Sequence, residues 1–443
     1  MTRTAALART TSGPSRRGLV LIATAIILTG LNLRTAVNSI GPVLEELEHG
    51  LGLSSGQAGL VTTMPVLCFA LIGFTGPSLS ARFRDAHVLS GALLTMAAGL
   101  VVRAVAGSFW LFLVGTVLAM VGGALGNVLL PALVKRYFPT RTGLLVGAYS
   151  TTMLAGGAIA AVAAAPIAAA AGAEGWRWAV GIWAVPALLA VLPWFAVPAR
   201  PSATRENRTA VRMRPLARSP LAMALALFFG LQSLEAYVMF GWVAQYLRDS
   251  GLSAAAAGLL LGVNTLVGIP LSAVVAPLTV RPGMQRPMLV AFVVCYIGGW
   301  VGLWLAPTTV PVLWMLLLAV GMASFPMVLA LLGLRARTAE TTTALSTFTQ
   351  GWGYVLAGFG PLLVGILRGA TGGYTGMFVV VLAGVAGLGV SGWFVTRERY
   401  VDDEVDLVAG RASARERDVI EVAGDEPPVV VHVRERDAGS PRG

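Results

Sequence analysis

The chain carries one stretch after another of about twenty apolar residues with almost no charge among them. Laid out as a helix, such a stretch crosses the ~30 Å hydrocarbon layer of a bilayer. Inside lipid every backbone N–H and C=O must be satisfied by protein, so segments of this length become helices. Composition closes the alternatives: 56% of the 443 residues are hydrophobic, 12% are charged, and the mean hydropathy is +0.76. A soluble domain carries about a quarter charged residues, and disorder needs low hydrophobicity. The first stretch, Leu19–Leu28 after Arg16 and Arg17, has the look of a secretion signal. It continues past Arg34 without a small-residue cleavage site, and more stretches follow, so it reads as the first membrane span.

Twelve spans are expected, at about 18–44, 55–81, 87–105, 108–134, 141–171, 176–197, 219–247, 254–279, 287–305, 310–333, 341–368 and 374–396. The net charge of +11 does not point to nucleic acid, because the basic residues sit between spans, where they set orientation. One set of connections carries Arg82/Arg84, Lys135/Arg136/Arg141, six arginines from Arg200 to Arg218, Arg281/Arg286 and Arg335/Arg337. The alternate set carries Arg103, Arg177, Arg248 and Arg368 singly, with the acidic run Glu45, Glu46, Glu48. The arginine-rich side is read as cytoplasmic, which puts both termini there and the chain in the plasma (inner) membrane as a multi-pass protein. The organisation expected is a cytoplasmic N-terminal segment 1–17, a six-helix half 18–197, a cytoplasmic loop 198–218, a second six-helix half 219–397, and a disordered cytoplasmic tail 398–443.

The two halves resemble each other. Gly52-Leu53-Ser54 opens span 2, and Gly251-Leu252-Ser253 opens span 8 199 residues later. Ala148-Tyr149-Ser150-Thr151 in span 5 is echoed by Ala344-Leu345-Ser346-Thr347 in span 11, 196 residues on. Near-equal spacing argues for parallel repeats, with a substrate site between the halves. Coincidence in an Ala/Gly/Leu-rich sequence is the competing account.

Several chemical motifs dissolve on inspection. Gly52-x-Ser54-x-Gly56 matches a nucleophile elbow, but the only histidines are His49, His87 and His432, and Gln57 stands where a capping box needs it. Gly387-x-Gly389-x-x-Gly392 lies inside span 12 with no preceding strand, which fits helix packing better than a dinucleotide. The lone lysine, Lys135, has no Walker loop around it, and Cys68 and Cys295 lack partners for a disulfide or a metal. No cofactor, no metal, no nucleic acid and no enzymatic activity are expected.

Two ionisable residues lie deep in spans: Arg34 in span 1 and Glu235 in span 7, each 17 residues past an arginine, on helices that correspond under the repeat. Intramembrane charges are costly, and they mark ion or substrate pathways. Arg34 is expected to hold an anionic or strongly polar ligand, and Glu235 to compete for it or to carry a proton. A structural Arg34–Glu235 pair locking the halves is the alternative. Asn38 follows Arg34 by one turn. Gln232, Glu235, Met239 and Trp242 form a stripe in span 7, as do Thr343, Thr347, Gln350 and Tyr354 in span 11, and Asn127 and Asn264 are isolated amides. Such stripes can equally glue helices together. The candidate substrate-binding set is Arg34, Asn38, Asn127, Gln232, Glu235, Tyr237, Gln350 and Tyr354, with Glu235 the proton-coupling candidate. Gly41-Pro42, Pro65, Pro131, Pro166, Pro186, Pro270, Pro326 and Gly360-Pro361 are expected to interrupt their spans.

Asn32-Leu33-Arg34-Thr35-Ala36, Thr62-Thr63-Met64-Pro65, Asn127 to Lys135, Gly230-Leu231-Gln232-Ser233 and Gly333-Leu334-Arg335-Ala336-Arg337-Thr338 together resemble the major facilitator superfamily, and within it the cyanate permease/2-nitroimidazole transporter branch. The resemblance runs from about 18 to 397. It implies an all-α membrane fold of twelve helices in two six-helix halves, spans 1, 4, 7 and 10 around a cavity, and rocker-type alternating access. The superfamily's loop signature has an acid where Ala81 stands here. The resulting expectation is a secondary active transporter, symporter or antiporter, of a small polar or anionic solute, cyanate- or nitroimidazole-like. Its partners are that small-molecule substrate, the lipid bilayer and, as a coupling candidate, protons. A proton-coupled multidrug exporter of the same fold is the alternative; a membrane-embedded enzyme or a non-transporting sensor fits less well.

Overall fold

A computed structural model describes residues 16–82, 85–197 and 215–405. It contains twelve helices long and apolar enough to cross a membrane. Spans 1 to 6 are Arg16–Leu51, Ser55–Ile72 (within the helix Ser55–Arg82), Ala86–Val105, Phe109–Tyr137, Pro139–Ala170 and Gly172–Ala196. Spans 7 to 12 are Pro220–Asp249, Ala254–Thr279, Gln285–Leu305, Pro311–Leu334, Glu340–Thr371 and Thr375–Val395. Residues 1–15, the loop 198–214 with its five arginines, Phe83, Arg84 and the tail from 406 lie outside the described residues, as do the side chains from Gly73 to Asp85. The loop-signature reading, Ala81 included, therefore falls outside them.

The Gly-Leu-Ser joint is built alike in both halves. Gly52 ends span 1 at φ 63°, and Gly251 ends span 7 at φ 105°, both in the left-handed region that glycine tolerates at a helix C-terminus. In each copy the next leucine closes the turn, Leu53 N–H donating to Glu48 O and Leu252 N–H to Leu247 O. In each copy the serine then caps the following helix: Ser54 Oγ accepts from Gln57 N–H, and Ser253 Oγ accepts from Ala256 N–H. Gln57 Oε1 accepts in return from Ser54 N–H at 2.9 Å, completing the capping box. The glycine run of span 12 serves packing, since a Cβ on Gly392 would lie 2.5 Å from Leu289 Cδ1.

Proline interrupts fewer spans than the sequence suggests. The helices run through Pro65, Pro131, Pro166, Pro270 and Pro361 without a break. Discontinuities fall near Pro42, Pro186 and Pro326, where spans 1, 6 and 10 divide into shorter pieces. A ring in mid-helix removes one hydrogen bond, and neighbouring helices can absorb that loss. Span 7 has a different irregularity, a π turn at Met239–Val243.

Folded structure also continues past residue 397, where the polarity of the sequence predicts none. Residues 398–405, expected to begin a structureless tail, fold back across one end of the second half. Val401 is fully buried and its N–H donates to Arg335 O at 2.9 Å. Asp402 accepts from Arg337 N–H and Thr341 Oγ at the start of span 11, and Glu404 accepts from Ser219 Oγ and Leu221 N–H at the start of span 7. Acidic side chains are favoured at helix N-termini, where free N–H groups gather.

The halves meet chiefly toward the end that carries Glu45, Glu46 and Glu48. Span 2 lies on span 11, with a Cβ on Gly59 only 3.1 Å from Gly365 Cα, and Thr63 Oγ donates to Gly358 O at 3.3 Å. Span 5 lies on span 8, where a Cβ on Gly258 would meet Ala161 O at 2.6 Å.

Candidate functional site

Span 1 supplies the centre of the seam. Its first helix stops at Asn32, Thr35–Asn38 make one turn, and Gly41–Val43 make a 3-10 turn before the helix resumes at Leu44. Arg34 lies at the first interruption. Its Cβ and the Asn38 amide both face Gly157 of span 5, at 3.0 and 2.8 Å from where a glycine Cβ would be. The one-turn spacing thus places Arg34 and Asn38 on a common face, as expected. Asn38 is completely buried and neither of its polar side-chain atoms has a partner.

The Arg34 guanidinium reaches across to the second half and lies 5.6 Å from the Phe240 ring of span 7. Tyr237 of span 7 and Tyr354 of span 11 are within its electrostatic range. Among the described residues it has no carboxylate partner and no hydrogen bond. Around it the aromatics form a wall: Tyr354 packs on Phe69 at 5.6 Å, on Phe229 at 5.0 Å and on Tyr237 at 6.5 Å. Beside Phe240 a small cavity opens between Val37, Ile40, Thr62, Pro65 and Tyr237.

The remaining expected residues divide. Asn127 is half-buried on span 4 without a hydrogen-bonding partner among the described residues, one position past Gly126, which packs on Leu33. Gln350 is half-buried and donates to Ser346 Oγ on its own helix. Gln232 is buried and accepts from Ser233 Oγ. Asn264 donates to Met315 O inside the second half and acts as glue there.

Glu235 is not brought to Arg34. It is wholly buried inside the second half, where Oε2 accepts from Trp300 Nε1–H of span 9 at 2.7 Å and Oε1, without a hydrogen-bond partner, lies against Gly384 of span 12. The locking Arg34–Glu235 pair does not form. The stripe of Gln232, Glu235, Met239 and Trp242 is also dismantled: Trp242 donates to Pro361 O, and Tyr237 and Phe240 face the arginine instead. The π turn adds a residue to one turn and so rotates everything beyond it relative to a regular helix. Hydrophobic periodicity does not register such a turn.

Two features were not legible at all. Arg103, expected on a connection, is fully buried in span 3. The charges Glu45, Glu46, Glu48, Arg248 and Arg368, read as orientation signals, close the seam. Arg248 donates to both oxygens of Glu46 (2.7 and 2.9 Å), reaches Glu45 at 2.7 Å and donates to Pro42 O at 2.9 Å. Arg368 bridges Glu48 at 3.0 Å and Asp249 at 3.3 Å. Tyr374, between spans 11 and 12, donates to Asp249 at 2.6 Å. Burial and the Asp249 carboxylate push its phenol well above the ordinary tyrosine range, so it remains a donor across working pH.

Comparison with known proteins agrees with this architecture. The family profile described as Major Facilitator Superfamily matches residues 20–361. The 2-nitroimidazole transporter of Escherichia coli (strain K12) is 36% identical over 392 residues, covering 85% of this chain and 94% of that protein. The cyanate transport protein CynX of the same organism is 29% identical over 350 residues, covering 79% and 90%. Among solved structures, a bacterial homologue of the human lysosomal transporter Spinster, inward-facing and occupied, superposes with a TM-score of 0.71 at 18% identity, covering 89% of this chain and 99% of that one.

Proposed function

Because the chain belongs to the major facilitator superfamily and is a transporter rather than an enzyme, we propose that it moves a small anionic or strongly polar solute across the plasma membrane by alternating access, with Arg34 as the substrate's charge partner. The observation that carries this reading is the Arg34 guanidinium at the seam, bridging the halves onto Phe240 with no acid beside it among the described residues. An intramembrane cation without a counter-ion is expensive, and an anion arriving between the halves relieves that cost. Asn38, with both side-chain polar atoms free, adds a donor and an acceptor. Phe240, Tyr237 and Tyr354 offer faces suited to a flat solute such as a nitroheterocycle, and the guanidinium fork suits cyanate equally. Asn127 and Gln350 are assigned to the pathway on either side.

With the arginine-rich end and both termini cytoplasmic, the contacts at the Glu45–Arg248 end correspond to a state closed to the outside. Glu235 is the candidate for proton coupling. It is sealed beside Trp300 with one oxygen free and no cation in contact among the described residues, so the gain or loss of a proton there alters packing between spans 7, 9 and 12 without touching the solute. Its enclosure also argues against a multidrug exporter that reads organic cations with this acid.

The test is uptake of labelled cyanate and of 2-nitroimidazole by proteoliposomes, with imposed pH gradients of either sign. Transport of one of them, abolished by Arg34→Ala at normal membrane abundance, is the expected result. Transport undiminished in Arg34→Ala refutes the assignment.

A further inference from the structure

The turn that carries Arg34 and Asn38 is held from behind by a second arginine. In a continuous helix the Ile40 N–H donates to Ala36 O; here it donates to Val37 O at 3.4 Å, because the chain tightens toward Gly41-Pro42. The Ala36 carbonyl is left without an intrahelical donor in a membrane interior, where unsatisfied backbone groups are not tolerated. Arg103 of span 3 supplies the bond, Nη1 donating to Ala36 O at 3.0 Å.

Several observations set this residue apart from an orientation charge. It is completely buried, and among the described residues it has no carboxylate partner. Its Nε donates to Thr116 Oγ of span 4 at 3.2 Å, its guanidinium lies 5.3 Å from the Phe112 ring, and Nη2 has no partner. Spans 3 and 4 approach closely enough to seat it only because Gly99 and Gly115 lack side chains: a Cβ on Gly99 would fall 2.3 Å from Ala119 N, and one on Gly115 2.8 Å from Arg103 N. Satisfying one carbonyl does not require a buried cation, since a hydroxyl or an amide could do it at far lower desolvation cost. A rigid fork anchored on two helices does add something a hydroxyl lacks, namely a fixed position for the group it grips.

We infer that Arg103 is a positioning residue for the solute site. It grips the Thr35–Asn38 turn through Ala36 O so that Arg34 and Asn38, on the other side of that turn, stay aimed at Gly157 and the seam. The inference rests on the reading of Arg34 as the solute's charge partner.

The experiment compares Arg103→Met, Arg103→Lys and Thr116→Val in the purified full-length protein with wild type. Three readings are taken: transport kinetics (KM and maximal rate) for 2-nitroimidazole and cyanate in liposomes, the melting temperature, and the rate at which phenylglyoxal modifies Arg34, followed on its peptide by mass spectrometry. Methionine fills the same volume without charge, so Arg103→Met is expected to melt within a few degrees of wild type or above it. Its KM should rise tenfold or more with a smaller change in maximal rate, and Arg34 modification should change at least threefold. Lysine reaches Ala36 O but not Thr116 as well, and should recover KM to within a fewfold of wild type. A fall in melting temperature with KM and Arg34 reactivity unchanged shows a purely structural arginine and overturns the inference. Should Arg103→Met not fold, Thr116→Val and Arg103→Lys decide by the same three readings. If wild type carries neither probe, the solute reading fails, while the Arg34 modification rate, which needs no solute, still decides whether Arg103 sets its position.

Discussion

Replacing Arg248 by alanine removes the guanidinium that grips Glu46 through two hydrogen bonds, touches Glu45 and caps Pro42 O, and so removes half of the charged closure between the two bundles. The Arg248 side chain is 13% exposed and that of Glu46 33%. The pair therefore sits between a solvent-screened surface bridge, worth under 1 kcal/mol, and a buried charge-assisted bond of about 2–3 kcal/mol. A value of about 1.5–2 kcal/mol shifts the ratio of closed to open seam roughly 10- to 30-fold. The assay is alkylation of a single cysteine at Thr62→Cys, with Cys68 and Cys295 replaced. Thr62 is buried in the closed seam, where a Cβ on Gly241 would lie 2.9 Å from it. A membrane-impermeant maleimide added from the Glu45 side should label this cysteine about 10–30 times faster in Arg248→Ala than in the arginine parent. Exchanging the charges, Arg248→Glu with Glu46→Arg, should restore slow labelling. Equal rates in parent and Arg248→Ala would refute the view that these charges hold the seam shut.

Other outcomes follow from the same geometry. Gly41→Ala puts a methyl 2.3 Å from Phe240 O, so the closed seam cannot form without moving backbone; transport should fall several-fold while the Thr62→Cys site becomes more reactive. Gly157→Val drives atoms into Arg34 Cβ and Asn38 and should raise the KM for the solute with little loss of membrane abundance. Glu235→Gln keeps the shape of the side chain but cannot lose a proton, and should flatten the pH dependence of transport; a pH profile superimposable on wild type would send the search for coupling elsewhere. Glu404→Ala strips the carboxylate from Ser219 Oγ and Leu221 N–H at the start of span 7 and should destabilise the second half by about 1 kcal/mol, read as a lowered melting temperature.

The number of spans, their limits and the two-fold repetition were written in local patterns. An apolar run has one stable form in lipid, and Gly52-Leu53-Ser54 builds the same end-and-cap joint in either half because each of its parts acts within a few residues. Arg34 and Asn38 were legible for the same reason, since one turn of a helix fixes which residues share a face. The failures are equally physical. Most prolines expected to break a span leave it intact, because neighbouring helices decide whether a lost hydrogen bond matters. The acids of residues 402–404 have no local pattern that foretells docking; they find helix N-termini more than sixty residues away.

Which way a charge points was decided only by packing. Arg34 and Glu235 stand at matching sequence offsets in corresponding spans, yet one faces the seam and the other is shut in with Trp300, because span 1 breaks at Arg34 while the helix that carries Glu235 runs unbroken past it. Arg103, Arg248 and Arg368 read identically along the chain as single positive residues near span ends. In the fold one props a broken turn and the other two join the halves. Hydropathy is a sum over neighbours in the chain and survives any arrangement of the helices; the partner of a charge is a matter of which helices lie side by side, and only the assembled bundle supplies it.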